Sequence, residues 1–269
     1  MRVRVGCEFR HQSEIPLHAV LQVEPRPDGG FRMVHERWEN APEVPWSRYV
    51  DGFGNLCRRL TIPAGESVLR YDTEVEVTGI ADPVVTDAEE LLPGDLPDHA
   101  LAFTLPSRFC PSDELGDMAW ELFGGLPRGW SRVQAICDWT HEMIVFGYGS
   151  SSPRKTAAEV VADKRGVCRD YAHVAVTMCR ALNIPARYAF GYLPDVDIEP
   201  TGAEMDFCAW MEVYLSGQWF TFDPRNNVPR AGRVLIGYGR DALDVAMLTT
   251  YGGPELLGMT VWADAVVGA

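Results

Sequence analysis

The sequence lacks the features that mark several common classes. Of its seven cysteines, Cys7, Cys57, Cys110, Cys137, Cys168, Cys179 and Cys208, none forms a CxxC pair. That spacing suggests neither a disulfide framework nor a zinc finger. No apolar run approaches the roughly 18 residues that a membrane helix needs. The start, Met1-Arg2-Val3-Arg4-Val5, has charge but no apolar stretch behind it, so no signal peptide is read there. Basic residues are few: 24 Lys and Arg against 38 Asp and Glu give a formal net charge of −14. Neutralising phosphates takes clustered cations, so neither nucleic acid nor an anionic membrane is an expected partner. Internal repeats and low-complexity tracts are also missing. The expectation is a cytoplasmic protein with reduced thiols, no cofactor and no metal, its oligomeric state left open. At 269 residues and 46% hydrophobic, the chain can bury a sizeable core and suggests two domains.

The first eighty residues read as strands. Val3, Val5, Cys7 and Phe9 alternate with Arg2, Arg4, Glu8 and Arg10. Leu17, Ala19, Leu21 and Val23 alternate with polar partners, as do Leu69, Tyr71, Thr73, Val75 and Val77. Period two implies half-buried strands, and turn clusters at 25–30 and 51–55 punctuate them, as in a β-sandwich. Cys7 falls on an apolar strand face and is a core residue by this pattern. The predicted sandwich spans residues 1–95, followed by a proline-rich linker at 96–111 and an α+β core at 112–269. After the linker the period becomes helical. Ser131 with Gln134 and Thr156 with Glu159 have capping-box spacing. A third helix runs from about Cys168 to Leu182, with Ala172, Ala175, Val176, Cys179 and Leu182 on one stripe. Strands are expected near 186–193, 207–215 and 218–223.

Chemistry concentrates at that third helix. Gly166-Val167-Cys168-Arg169-Asp170 puts Cys168 at a helix start, where the helix dipole favours thiolate and free amides can hold an oxyanion. A buried structural cysteine is the alternative for that position. A hairpin follows, its strands joined by Ser216-Gly217. With a two-residue turn, Leu215 faces Gln218, and Cys208 and Asp223 become diagonal neighbours on one face. Phe207, Ala209, Met211, Val213, Leu215, Phe220 and Phe222 form the other, wholly apolar face.

Gly166-Val167-Cys168-Arg169-Asp170-Tyr171-Ala172-His173, then Leu182-Asn183-Ile184-Pro185-Ala186-Arg187-Tyr188, Ala209-Trp210-Met211-Glu212-Val213-Tyr214 and Phe222-Asp223-Pro224 resemble the bacterial transglutaminase-like superfamily over about residues 120–227. The strands around Tyr49–Asn55 resemble the β-domain that precedes this core in one bacterial branch. The resemblance implies a papain-like α+β core and thiol chemistry on a protein or peptide substrate. It implies Cys168 as nucleophile, a His just before Ala209 as base, and Asp223 as the acid that orients the His.

The chain departs from that pattern at one position, because Cys208 stands where the family has its His. A thiol with a pKa of about 8.5 is a poor substitute for an imidazole near 6.5. His173 lies five residues along the helix, off the Cys168 face. His141 is on another helix, and His11, His18, His35 and His99 read as surface residues. Three readings follow. One is a cysteine peptidase or acyltransferase working through Cys168, Cys208 and Asp223. Another is a catalytically silent papain-like binding module. The third is a Cys168/Cys208 redox or metal site. Trp210 and Tyr148 are candidate substrate-binding residues, and Trp139 reads as core. The acidic loop Asp195, Asp197, Glu199, Glu204 and Asp206 reads as a solvated rim that disfavours acidic substrates.

Overall fold

The computed structural model describes residues 1–196, 198 and 204–266. Asp197 and Glu199 of the acidic loop lie outside the described residues. The chain opens with β1 (Arg2–Ser13), β2 (Leu17–Leu21), β3 (Arg32–Ala41), β4 (Trp46–Val50), β5 (Leu56–Ile62) and β6 (Gly65–Glu76). Next come α1 (Asp98–Leu101), α2 (Gly116–Phe123), α3 (Trp130–Met143), β7 (Val145–Phe146), α4 (Ala157–Asp163), β8 (Arg165–Gly166) and α5 (Cys168–Ala181). Strands β9 (Ala186–Tyr192), β10 (Cys208–Leu215), β11 (Gln218–Phe222), β12 (Val234–Gly239), β13 (Leu248–Thr250) and β14 (Glu255–Ala265) follow. The architecture is α+β. No described helix is long and apolar enough to cross a membrane.

Two four-stranded sheets, β14-β1-β6-β3 and β13-β2-β5-β4, share one apolar core. β1 and β6 pair from Arg2 opposite Glu76 to Ser13 opposite Gly65. Val3, Val5, Cys7 and Phe9 point inward, while Arg2, Arg4 and Arg10 pair outward with Glu76, Asp72 and Glu66. Exposed pairs of this kind contribute little, so the inward row holds the sheets together. His11 continues that inward row and is 1% exposed, contrary to its expected surface position. Its parity with Phe9 is the reason.

Two boundary expectations need correction. The sequence reading assigned 112–269 to a single α+β core, but β13 pairs with β2 and β14 pairs with β1, with Ala265 opposite Val3. Local period says that a segment is a strand but not which sheet it joins. The 96–111 linker is packed rather than loose: it contains α1, and Ala100, Phe103, Phe109 and Cys110 are buried. Its prolines break periodicity without preventing burial.

The second half is built on the antiparallel sheet β11-β10-β9-β12. Ser216 and Gly217 adopt φ of 46° and 84°, positive values that a two-residue hairpin turn of this type requires. Leu215 therefore faces Gln218, as the sequence implied. Helices α2, α3 and α5 pack on Met211, Val213, Leu215, Phe220 and Phe222. Thr156 and Glu159 make both bonds of the capping box that starts α4. Ser131 makes none: α3 begins earlier, after Gly129 with φ 99°, and Ser131 Oγ instead donates to Pro127 O at 3.3 Å. The β-sandwich reaches the second half directly. Phe9 stacks on Phe207 with centroids 6.5 Å apart, and Tyr192 Oη donates to Val23 O at 2.9 Å. Phe207 immediately precedes Cys208, so the sandwich braces the strand end that carries the second thiol.

Candidate active site

The local sequence explains why α5 begins at Cys168. Val167, the N-cap, has no side-chain acceptor. Asp170 compensates by accepting from Val167 N at 2.9 Å, an acidic group in the first helical turn. A Cβ on Gly166 would lie 2.6 Å from Asp170 Cβ, so only glycine lets this carboxylate close over the helix start. α5 is then almost wholly buried from Asp170 to Arg180, leaving its first turn at the surface of a cleft.

That cleft has a volume of about 170 Å³ and is lined by Cys168, Cys208, Phe146, Tyr148, Asp206 and Arg225, among others. Cys168 is half-buried, and its Sγ donates to Phe207 O at 3.6 Å. Cys208, at the start of β10, is also half-buried and lines the same cleft as Cys168. The neighbouring Cys208 thiol lowers the Cys168 pKa. Burial opposes the shift, while the Ala209 N–H and the Arg225 charge reinforce it. Cys208 moves the other way, well above an ordinary thiol, through the neighbouring Cys168 thiol, burial and the Asp223 charge. Cys168 is thus the sulfur that ionises first, and Cys208 keeps its proton. Cys7, Cys110, Cys137 and Cys179 are buried, and burial raises every one of their pKa values.

Asp223 lies close enough to Cys208 for its charge to be felt, but its hydrogen bonds go elsewhere. Asn226 N donates to Oδ1 at 2.9 Å, and Asn226 Nδ2 donates to Oδ2 at 2.7 Å. Arg233 Nη2 also donates to Oδ2, at 2.7 Å. Burial works against the Asp223 charge, yet Arg233 and Asn226 outweigh it and hold the carboxyl below the usual carboxylate range. Arg233 also binds Asp82 Oδ2 through Nε at 2.8 Å. The carboxylate expected to orient a base is therefore tied to a buried arginine. Sequence reasoning missed Arg233 because it lies outside the recognised motifs and its role depends on burial alone.

The other predicted residues divide. Tyr148 lines the cleft mouth and is 60% exposed. Trp210, expected in the same cleft, is 1% exposed and does not line it. It faces a separate opening of about 1070 Å³ under Arg233, whose guanidinium lies 4.9 Å from the indole ring. The reason is that Cys208 ends its row of β10 at the cleft, whereas two residues further on Arg233 covers that row. Asp206 is more than a solvated rim residue: it is half-buried, burial raises its pKa, and its charge opposes thiolate at Cys168. Among the described residues no histidine lines the cleft. His141 is exposed on α3, with Nδ1 3.3 Å from Pro224 O. No group of three His, Cys, Asp or Glu suited to a metal is found among the described residues. The metal reading of Cys168, Cys208 and Asp223 has no geometric support.

His173 is buried between Phe109 and Tyr188, and Nε2 accepts from Ala242 N at 3.1 Å. Burial, helped by Arg169 and Arg180, pushes its pKa well down. The folded state holds this imidazole neutral, whereas the unfolded chain takes up a proton below about pH 6.5. Stability contributed by His173 is therefore complete above about pH 6.5 and lost as pH falls below it. Urea unfolding midpoints should drop over that range, and less so in His173→Gln. An equal drop in the variant would remove His173 as the cause.

A family model described as the transglutaminase-like superfamily matches residues 118–224, the segment that carries Cys168, Cys208 and Asp223. A crystal structure described as a "Putative Cysteine Protease from Cytophaga hutchinsonii" is 28% identical, with a TM-score of 0.90, over 100% of this chain and 91% of that chain. Uncharacterized protein ML0607 of Mycobacterium leprae is 24% identical over 259 residues, 92% of this chain and 91% of the relative. Uncharacterized protein Rv2569c of Mycobacterium tuberculosis is 29% identical over 223 residues, 74% of this chain and 69% of the relative. The thiol-bearing helix and hairpin thus lie inside the segment, residues 118–224, that matches the transglutaminase-like superfamily.

Proposed function

We propose that the protein is a thiol enzyme acting on peptide or isopeptide amides of a cytoplasmic protein or peptide, by hydrolysis or acyl transfer through Cys168. The observation that carries this reading is the Cys168 thiol placed at the start of α5 and open to a cleft. The similarity to a structure described as a cysteine protease supports it. The Cys168 thiolate attacks the amide carbonyl carbon, and the C–S bond forms as the carbonyl electrons move onto oxygen. Amides at the helix start favour that oxyanion. Collapse expels the amine and leaves a thioester, which water or a second amine then resolves. The leaving amine needs a proton at this step. Cys208 retains one, and Asp206 has a raised pKa, but neither cycles a proton near pH 7 as imidazole does. Turnover is accordingly slow. The lack of a histidine in the cleft also favours a second reading, a binding module with the same substrate preference.

Limited alkylation at pH 7 with peptide mapping tests the first step. Cys168 should label ahead of the other thiols, and its rate should rise at a pH below the usual thiol value of about 8.5. Preferential labelling of Cys7, Cys137 or Cys179 would sink the assignment. Turnover of an activated ester or small peptide amide should vanish in Cys168→Ala. A labelled but inactive wild-type protein leaves the binding module.

A further inference from the structure

A thiol in the base position cannot shuttle protons as imidazole does, but it can contribute a second sulfur. Cys168 and Cys208 line one cleft, and both are half-exposed. The Cys168 sulfur lies 3.6 Å from the carbonyl oxygen of Phe207, the residue joined to Cys208. The pair bridges two elements far apart in sequence, the start of α5 and the start of β10. Of the seven cysteines, the other five are buried. The cleft volume of about 170 Å³ also exceeds the roughly 30 Å³ share of one water, so a small peroxide fits beside the sulfurs.

We propose that Cys168 and Cys208 form a two-electron dithiol–disulfide couple that reduces a small hydroperoxide. Cys168 is the attacking sulfur and Cys208 the resolving one. In the first step the Cys168 thiolate attacks the distal peroxide oxygen. An S–O bond forms, the O–O bond breaks, and the departing oxygen takes a proton to leave as water or an alcohol. The sulfur is oxidised by two electrons to a sulfenic acid, and the peroxide is reduced by the same two. In the second step the Cys208 sulfur attacks Cys168. The S–S bond forms, the S–O bond breaks, and water leaves with the Cys208 proton. An external thiol reductant such as dithiothreitol then restores both thiols by exchange.

The asymmetry of the pair assigns the two roles. The charge of Arg225 favours thiolate at Cys168, while Cys208 stays protonated until Cys168 has been oxidised. Once Cys168 is a neutral sulfenic acid, its thiolate charge no longer opposes ionisation of Cys208; burial and Asp223 still do, so Cys208 attacks as its proton passes to the departing water. The proposal does not depend on amide chemistry.

The test uses the full chain, reduced and then exposed to one equivalent of hydrogen peroxide. Remaining thiols are blocked with N-ethylmaleimide, and intact mass and peptide maps are read. Wild type should lose the mass of two hydrogen atoms, lose two alkylatable thiols and yield a Cys168–Cys208 linked peptide, all reversed by dithiothreitol. Cys208→Ser should form no link and should expose a Cys168 sulfenic acid to dimedone. Peroxide consumption with dithiothreitol as reductant should be lost in both Cys168→Ala and Cys208→Ser. A wild-type protein that forms sulfinic acid at Cys168 without the link, or that links a different pair, overturns the proposal. Ester and amide turnover is measured on the same samples. A link formed without turnover rejects the amide reading alone, and turnover without a link rejects the couple alone.

Discussion

Cys208→His should raise both the alkylation rate of Cys168 at pH 7 and the turnover of activated esters or amides. A positioned general base contributes about 10²- to 10⁴-fold, and this is the range expected. The count of acceptor sites on Asp223 leaves one for the hydrogen bond involved. An ionised carboxylate offers about four lone-pair sites, and three donors already occupy Asp223: Asn226 N, Asn226 Nδ2 and Arg233 Nη2. One site remains for an imidazole N–H. At this position the Asp223 charge, which favours imidazolium, is felt ahead of the Arg233 charge, which opposes it, and an imidazolium beside Cys168 favours its thiolate. Steric cost works against the gain. Overpacking typically costs about 1–3 kcal/mol, so folding is checked first by urea unfolding. A folded variant with an unchanged alkylation profile and unchanged turnover would refute the lost-base account and favour the binding module. The same substitution removes the resolving sulfur, so the Cys168–Cys208 link must also disappear.

Asp223→Ala should destabilise the fold strongly, whatever it does to turnover. Side-chain exposures of the Arg233–Asp223 pair are 9% and 2%, so the charges are desolvated. Removing one partner of a buried pair commonly costs about 3–5 kcal/mol, because the other charge stays buried without compensation. Asp82 still holds Arg233, which places the expected loss at the lower end. Two Asn226 donors lose their acceptors as well. Asp223→Asn retains the shape and one acceptor oxygen and should cost less. The pH dependence has a definite sign. The folded pKa lies below the unfolded value of about 3.9, so the Asp223 contribution is complete above about pH 3.9 and fades as pH falls further. Urea midpoints of the two variants and wild type decide the matter. Unchanged stability in Asp223→Ala would mean that the carboxylate serves Cys208 rather than the fold.

Several features of the fold follow from local rules. Alternation along 2–10 places Val3, Val5, Cys7 and Phe9 in the core, because side-chain direction in a strand depends only on parity. Thr156 and Glu159 cap α4 through contacts three residues apart. Ser216-Gly217 sets the hairpin register because the turn geometry is itself local. Cys168 at the start of α5 follows from the same kind of signal. Ser131 does not cap although its spacing is right, because Trp130 is buried against Phe220 and Phe222 and α3 starts two residues earlier than that cap implies. His11 is buried rather than at the surface because the inward parity of β1 continues past Phe9.

By itself, the sequence determined the α+β composition, the helix that begins at Cys168, the hairpin that carries Cys208 and Asp223, and the absence of a histidine before Ala209. Each depends on period, capping or motif spacing, which act over a few residues. Only the tertiary structure decided that β14 closes the first sheet against β1, that Trp210 turns away from the Cys168 cleft, and that Arg233 takes the carboxylate expected to orient a base. These outcomes depend on which distant surfaces meet and on which charges are buried together. Burial makes a guanidinium seek Asp82 and Asp223 at once, and no local pattern records which carboxylates a distant arginine will reach.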